Sequence, residues 1–167
     1  MRYWLTLIFG TISVSGILTW LYLRMEAAPF PVIQLQSDEG SLPRLEVPEH
    51  NLQGDPKTVA LNHEKSQMNV QYRLGVPVAN RGPGTLHLTL TRKTCGCIQR
   101  VLVDDEPVAE GFPITISTGG QKQVDIVWRY TPEVTRPDQD RLFAVEFTTN
   151  DPETPVFRIQ VSTHVVR

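Results

Sequence analysis

The sequence predicts an all-β domain, an antiparallel sandwich of about seven strands, preceded by one N-terminal transmembrane helix. Three observations support this prediction. From residue 57 onward, apolar and polar residues alternate with a period of two, which is typical of strands with one buried face. No segment after residue 24 shows the 3.6-residue period of an amphipathic helix. The 13 prolines and 11 glycines indicate many turns.

Length and charge exclude some classes of function. The 167 residues provide one domain with accessory segments, and the apolar share of 40% suffices for one packed core. The 16 basic and 18 acidic residues give a formal net charge of -2. A balance so close to neutral provides no basic surface for nucleic acid, so we expect no nucleic-acid partner.

The first element is an uncharged run over residues 3–23, which Arg2 and Arg24 bracket. About 20 apolar residues suffice to cross a bilayer as a helix. We expect residues 1–24 to be an uncleaved, single-pass signal anchor in the inner (cytoplasmic) membrane, with the domain on the periplasmic side. The alternative is a cleaved signal peptide, whose apolar region is usually shorter and ends in small residues.

Residues 25–56 lack clear periodicity and contain five prolines. Prolines restrict the backbone to extended conformations, so we expect a semi-extended stalk that spaces the domain from the membrane. Within it, residues 32–36 alternate between apolar and polar side chains and form a candidate edge strand.

The domain itself is expected over residues 57–167, in strands whose apolar side chains share one parity. The clearest alternation falls in residues 68–78, 85–93, 122–130, 141–150 and 156–166. The side chains expected to face the core include Leu86, Leu88, Leu90, Val124, Ile126, Trp128, Phe143, Val145, Phe147, Phe157, Ile159 and Val161. Short strands separated by turns over about 110 residues are typical of an immunoglobulin-like sandwich.

Two turns carry residue types that fix backbone geometry. Asn80 and Gly82 lie in the first, and both tolerate positive φ. Asn150, Asp151 and Pro152 lie in the second, where short polar side chains bond to nearby backbone and proline fixes φ. We interpret all five as structural turn residues.

The only two cysteines, Cys95 and Cys97, flank Gly96 after the second clear strand. In an extended chain their side chains would share one face, about 6.5–7 Å apart along the chain. Parity places that face outward, whereas a bulge or turn in residues 92–94 would bury both thiols. A disulfide needs Cβ atoms about 3.5–4.5 Å apart, so it forms only if the chain turns at Gly96.

Three interpretations of this pair stay open. The first is a structural pair, packed or disulfide-bonded. The second is a metal site, because thiolates suit Cu(I), with His87 as a candidate ligand on the same outward parity. The third is redox chemistry favoured by nearby cations, although the C-x-x-C spacing is absent. Because no nucleophile elbow or phosphate loop is present, we expect no catalytic residues. We also expect no cofactor, with copper at the cysteine pair as the alternative.

Three segments resemble the bacterial domain-of-unknown-function family 1573. VANRGPGTLHLTLTRKTCGCI is similar to that family's N-x-G and C-G-C segment, and FTTNDPETPVFRIQVSTHVV to its T-N-D-P ending. GGQKQVDIVW takes the place of its Pro-Gly-Glu turn and following strand, but lacks the Pro-Gly. The resemblance covers residues 70–166. It implies an immunoglobulin-like sandwich, similar in style to domains of major sperm protein type, and it implies no activity.

These observations favour an exported, membrane-anchored binding or scaffold module without catalysis. Its partners would be the membrane, through the N-terminal helix, and an unknown protein of the cell envelope. The alternative is a copper-binding or thiol-redox protein of the envelope that acts through Cys95 and Cys97.

Overall fold

Ten strands form two five-stranded sheets in the computed structural model, which describes residues 42–167. The strands are β1 (Leu45–Glu46), β2 (Lys57–Gln67), β3 (Gln71–Asn80), β4 (Leu86–Lys93), β5 (Ile98–Val103), β6 (Glu106–Val108), β7 (Pro113–Ile116), β8 (Gln121–Arg129), β9 (Gln139–Thr149) and β10 (Val156–Val166). The predicted anchor over residues 1–24 and the candidate strand over 32–36 lie outside the described residues.

The strand order defines the sandwich as immunoglobulin-like. One sheet has the order β1-β3-β8-β5-β6 and the other β2-β10-β9-β4-β7. β1, β3, β8 and β5 correspond to strands A, B, E and D of an immunoglobulin constant-type domain, and β4, β9 and β10 to C, F and G. The pairs are antiparallel except for β2 with β10, which run parallel. The predicted all-β sandwich is therefore confirmed.

The core lies between the sheets and consists of the side chains that strand parity assigned to it. Trp128 and Phe157 are 0% exposed, and Phe147 is 1% exposed. Burying side chains of this size stabilises a domain by roughly 1.5–3 kcal/mol each, so the alternating positions hold the sheets together. The side chains at the other positions of these strands lie on the outer faces of the two sheets.

Two differences from the sequence prediction concern strand number and strand starts. There are ten strands rather than about seven, because three of them are only two to four residues long. Met68 and Val70 lie in the turn before β3 and not in a strand, since Asn69 adopts a positive φ of 63°. That left-handed residue ends the extended chain.

Residues 42–56, the described part of the predicted stalk, include a strand and side chains of the core. β1 pairs with the end of β3. Leu45 is 4% exposed and Val47 2% exposed, and both belong to the hydrophobic core. The predicted domain boundary at residue 57 is therefore too late, because apolar burial begins at least twelve residues earlier, at Leu45 (57 − 45 = 12).

Within residues 42–167, no helix has the length and apolar character needed to cross a membrane.

Candidate functional site

The cysteine pair forms a disulfide at a turn that follows β4. Cys95 and Cys97 are bonded through their sulfurs, with Cα atoms 5.1 Å apart, so the chain between them is not extended. Thr94 fixes the entry to this turn, because its N–H donates to Ala144 O at 3.0 Å and its Oγ1 accepts from Ala144 N at 2.7 Å. Arg129 N donates to Cys97 O at 3.0 Å, which fixes the exit.

The two sulfurs occupy different environments. Cys97 is 1% exposed and belongs to the core, whereas Cys95 is partly exposed and packs against its rim. The outward placement expected from unbroken parity is therefore wrong for Cys97. Two features break the parity: β4 shifts its register against β9 between Leu90 and Arg92, and the chain turns after β4 ends at Lys93, so the alternation does not extend to Cys97. The extra residue is Thr91, just before the segment 92–94 where a bulge or turn was the alternative, and only Cys97 is buried rather than both cysteines.

Gly96 is less constrained than the sequence prediction required. A Cβ at this position would meet no atom within 4 Å, and the φ angle of Gly96 is not left-handed. The turn therefore needs neither the small size of glycine nor its access to positive φ.

His87 does not join the cysteines. It lies at the beginning of β4, whereas the bridge follows its end, and its Nδ1 is 3.4 Å from Thr115 Oγ1. Within the part of the chain that the structure describes, no group of three or more His, Cys, Asp or Glu side chains is arranged to hold a metal ion. A metal at the bridge would first require reduction of the disulfide.

The predicted turn residues meet at the opposite end of the sandwich, which we call the Asn80 end. Asn80 is 0% exposed, and its side chain makes four hydrogen bonds. Oδ1 accepts from the N–H groups of Arg44 at 3.2 Å and Gly82 at 3.0 Å. Nδ2 donates to the carbonyls of Gly84 at 2.6 Å and Ile116 at 3.1 Å. One buried amide thus holds three separate segments together.

Asp151, in the second predicted turn, binds the backbone amide of Leu45, which follows Arg44 in the chain. Asp151 is 2% exposed. Its Oδ2 accepts from Leu45 N at 2.8 Å and its Oδ1 from Glu153 N at 2.9 Å. Asn80 and Asp151 therefore hold the consecutive amides of Arg44 and Leu45, which fixes the start of β1.

Asn150 connects this turn to β4 in the same way. Its Oδ1 accepts from His87 N at 2.8 Å, and its Nδ2 donates to Thr85 O at 2.9 Å. Pro152 is exposed and follows these contacts. The polar side chains at this end are occupied by backbone groups, which indicates a structural role.

The other end of the sandwich, which we call the pocket end, was missed by sequence reasoning. It consists of the turn between β2 and β3, the loop over residues 130–138 and the end of β10. A pocket of about 530 Å³ lies among Met68, Asn69, Pro132, residues 135–137 and Arg167. Its volume is in the range of ligand pockets, about 300–1,000 Å³. The bridge lies toward the same end, because Cys97 bonds to the last residue of β8.

One sequence signal could have indicated this site. The loop over residues 130–138 connects β8 in one sheet to β9 in the other through nine residues (138 − 130 + 1 = 9). Connections between secondary-structure elements have a median length of about 4–6 residues, and longer loops more often carry function.

The sheet edges offer little room for an added strand within the described residues. β1 and β6 contain two and three residues, and β7 contains four and begins at Pro113. β2 is longer, but Gln53 bonds to Thr58 near its start, and Glu64 bulges out of register with β10. The stretch of β3 beyond β1 contains Pro77, which lacks an N–H donor. Short, bulged or proline-containing edges disfavour strand addition.

Comparison with known proteins shows similarity in structure only. No protein-family model matches the sequence, and no curated protein matches it. A protein of unknown function from Porphyromonas gingivalis W83 is 18% identical, with a TM-score of 0.45 over 75% of this chain and 48% of that one. The chain thus spans about half the length of that protein.

Two further structures have similar scores. The ASH/PapD-like domain 7 of human CEP192 is 10% identical, with a TM-score of 0.47 over 84% of this chain and 96% of that one. The periplasmic chaperone SfaE is 10% identical, with a TM-score of 0.43 over 74% of this chain and 60% of that one. These likenesses concern the sandwich fold alone.

Proposed function

We propose that the chain is an exported, membrane-anchored binding module without catalytic activity, whose pocket end meets a protein partner in the cell envelope. The pocket is the observation that carries the binding role. It is an open site of ligand-binding size on a described surface whose sheet edges are short or interrupted. The Cys-Gly-Cys and Thr-Asn-Asp-Pro motifs support membership in family 1573.

The closed bridge between Cys95 and Cys97 supports export. Disulfides persist in the periplasm and outside the cell, whereas thiols in the cytoplasm are kept reduced. The uncharged run over residues 3–23 supplies the export signal and the anchor in this proposal.

The export proposal is tested by the state of the thiols and by protease access in a bacterial host. Protein from intact cells is denatured and alkylated with and without prior reduction. The 167-residue chain should take up label only after reduction, and its domain should be digested in spheroplasts. A matched chain lacking residues 2–24 should be labelled without reduction and should resist digestion. Labelled thiols and a protected domain in the longer chain would contradict export.

The binding proposal is tested by crosslinking in cells. Val134, at the pocket end, and Thr148, on the strand surface of β9, are each replaced by p-benzoylphenylalanine. We expect a discrete crosslinked product for position 134 and none for position 148. Equal crosslinking from both positions, or none from either, would count against a binding role for the pocket end.

A second candidate function is copper binding or thiol redox through Cys95 and Cys97. One observation favours it: Cys97 N donates to Cys95 Sγ at 3.0 Å, and Cys95 is partly exposed. A donor at sulfur favours the thiolate, the reactive form. The burial of Cys97 opposes this function, because attack at Cys95 Sγ would release the Cys97 thiolate into the apolar core.

Titration with Cu(I) after reduction separates the two functions. A binding module of the proposed kind should show no tight one-to-one copper complex. Tight one-to-one binding that is lost in Cys95→Ser would favour copper handling instead.

A further inference from the structure

We propose that the pocket end binds an acidic peptide segment of the partner protein, in which an apolar side chain is flanked by carboxylates. The inference rests on the binding role proposed above and adds the chemistry of the partner. Its basis is the lining of the pocket, which combines an apolar wall with two arginines.

The walls of the pocket are held by backbone hydrogen bonds. Met68 N donates to Val166 O at 3.0 Å, and Asn69 N donates to Tyr130 O at 2.8 Å. Asp138, which follows the lining residue Pro137, donates its N–H to Val165 O at 2.7 Å. These bonds tie the turn and the loop to the ends of β8 and β10. A site formed before binding avoids the entropy cost of ordering its loops.

Apolar side chains at the pocket end include residues of the pocket lining and two exposed residues next to them in the chain. Met68, Pro132 and Pro137 line the pocket, and two exposed side chains lie next to lining residues in the chain. These are Val70, 40% exposed, and Val134, 42% exposed. They account for two of the five large apolar side chains that are exposed among residues 42–167. Exposed large apolar side chains that adjoin the lining of a pocket in the chain favour a protein-binding surface at this end.

The charged residues of the pocket are both basic, which favours an acidic partner. Arg136 and Arg167 both line it, and neither forms an ion pair with another residue of the described chain. Glu133, in the same loop, interacts with its own loop instead. The side chain of Thr131 hydrogen-bonds to it and holds the pKa of Glu133 below its ordinary value of 4.5.

Two guanidinium groups beside an apolar wall are complementary to carboxylates beside an apolar side chain. Arginine binds carboxylates through paired, charge-assisted hydrogen bonds, which are about twice as strong as neutral ones. Methionine adapts its shape to different apolar side chains, so Met68 suits a peptide site. An uncharged apolar peptide would leave both arginines without partners.

The test uses the 167-residue chain in detergent and fluorescent hexapeptides with a central Leu or Phe. In one set the flanking residues are Asp and Glu, and in the matched set they are Asn and Gln. Fluorescence anisotropy should show that the acidic peptides bind. The affinity of the matched Asn and Gln peptides should be lower by about tenfold or more. Added salt should weaken the binding, because the attraction is between charges.

Variants assign the binding to the pocket. The double variant Arg136→Gln/Arg167→Gln should lose about tenfold or more in affinity for the acidic set. The matched variant Arg92→Gln, at an exposed position of β4 outside the pocket, should bind as the original chain does. Acidic peptides that bind equally well to the double variant, or that do not bind at all, would overturn the proposal.

The crosslink from position 134 distinguishes failure of this inference from failure of the proposed function. A crosslink that persists in Arg136→Gln/Arg167→Gln supports a binding module but overturns the acidic segment. A crosslink that the double variant loses supports both. Absence of the crosslink in the original chain removes the binding role itself.

Discussion

Tyr130 and Tyr72 place their hydroxyl groups in opposite situations. Tyr72 lies in β3, and its hydroxyl accepts a hydrogen bond from Gln67 N at 2.8 Å. Tyr130 is 1% exposed and packs edge-on to Phe143, and its hydroxyl has no hydrogen-bond partner among the described residues. A buried hydroxyl without a partner is destabilising, because it gives up its bonds to water.

The first prediction follows from this contrast. Tyr130→Phe removes the unpartnered hydroxyl and should raise the free energy of unfolding by about 1 kcal/mol or leave it unchanged. Tyr72→Phe removes a hydrogen bond to a backbone amide and should lower it by about 1 kcal/mol. Urea unfolding followed by tryptophan fluorescence measures both. Destabilisation by Tyr130→Phe as large as that by Tyr72→Phe would show that the Tyr130 hydroxyl is satisfied.

Unfolding at alkaline pH is a second test of the buried Tyr130 hydroxyl. Burial raises the pKa of Tyr130 from its ordinary value of 10.0 to about 12. Between these values the unfolded chain has lost the phenol proton and the folded chain keeps it. Rising pH therefore favours unfolding in this window. The advantage of Tyr130→Phe over the original chain should grow from pH 10 to 12, and a constant difference would contradict the raised pKa.

At the scale of strands, the sequence predicted those elements whose alternation is unbroken. The alternation in residues 156–166 predicts a strand, and β10 has the same bounds. The alternation does not predict β2, because the bulge at Glu64 changes its phase. After the bulge, the next buried side chain is that of Ser66. A period-two pattern that changes phase after seven residues (63 − 57 + 1 = 7), at His63, cannot be recognised from parity alone. The bulge at Thr91 and the turn after Lys93 hid the burial of Cys97 in the same way.

The contact of the β1 segment with the turn after β3 gives the prediction at this scale. Gly82 is buried, and a Cβ there would overlap the backbone of residues 42–44. Gly82→Ala should therefore displace the start of β1 and cost about 1–3 kcal/mol, the usual range for overpacking. Gly96→Ala is the matched control, and should stay within about 0.5 kcal/mol, because a Cβ there meets nothing within 4 Å.

Amide hydrogen exchange locates the effect of these two substitutions. In Gly82→Ala the amides of Arg44 and Leu45 should exchange faster, since Asn80 and Asp151 would lose them as donors. Exchange at Cys97 and Arg129 should stay unchanged in both variants. Equal stability of the two alanine variants would show that residues 42–44 are not packed against Gly82.

At the scale of the whole molecule, the two ends of the sandwich differ in the side chains that they carry. At the Asn80 end, buried polar side chains are bonded to backbone groups and fix the start of β1. The pocket end carries exposed apolar side chains and two arginines. Its lining residues come from three segments of the chain that are at least thirty positions apart (167 − 137 = 30), so only the strand register brings them together. The sequence therefore predicted the turns of one end and not the site of the other.

The bridge provides the prediction for the domain as a whole. A loop of three residues restricts the unfolded chain little, so Cys95→Ala/Cys97→Ala should lower the free energy of unfolding by only about 1–3 kcal/mol, including the lost packing of Cys97. Single domains are stable by about 5–15 kcal/mol, so the double variant should remain folded at 25 °C. Urea unfolding should show a lower midpoint with an unchanged slope. Reduction of the original chain by a dithiol is the matched comparison, and it should give a smaller loss because Cys97 keeps its packing. A double variant that does not fold would mean that the bridge organises the core, and one of unchanged stability would mean that the bridge adds nothing to it.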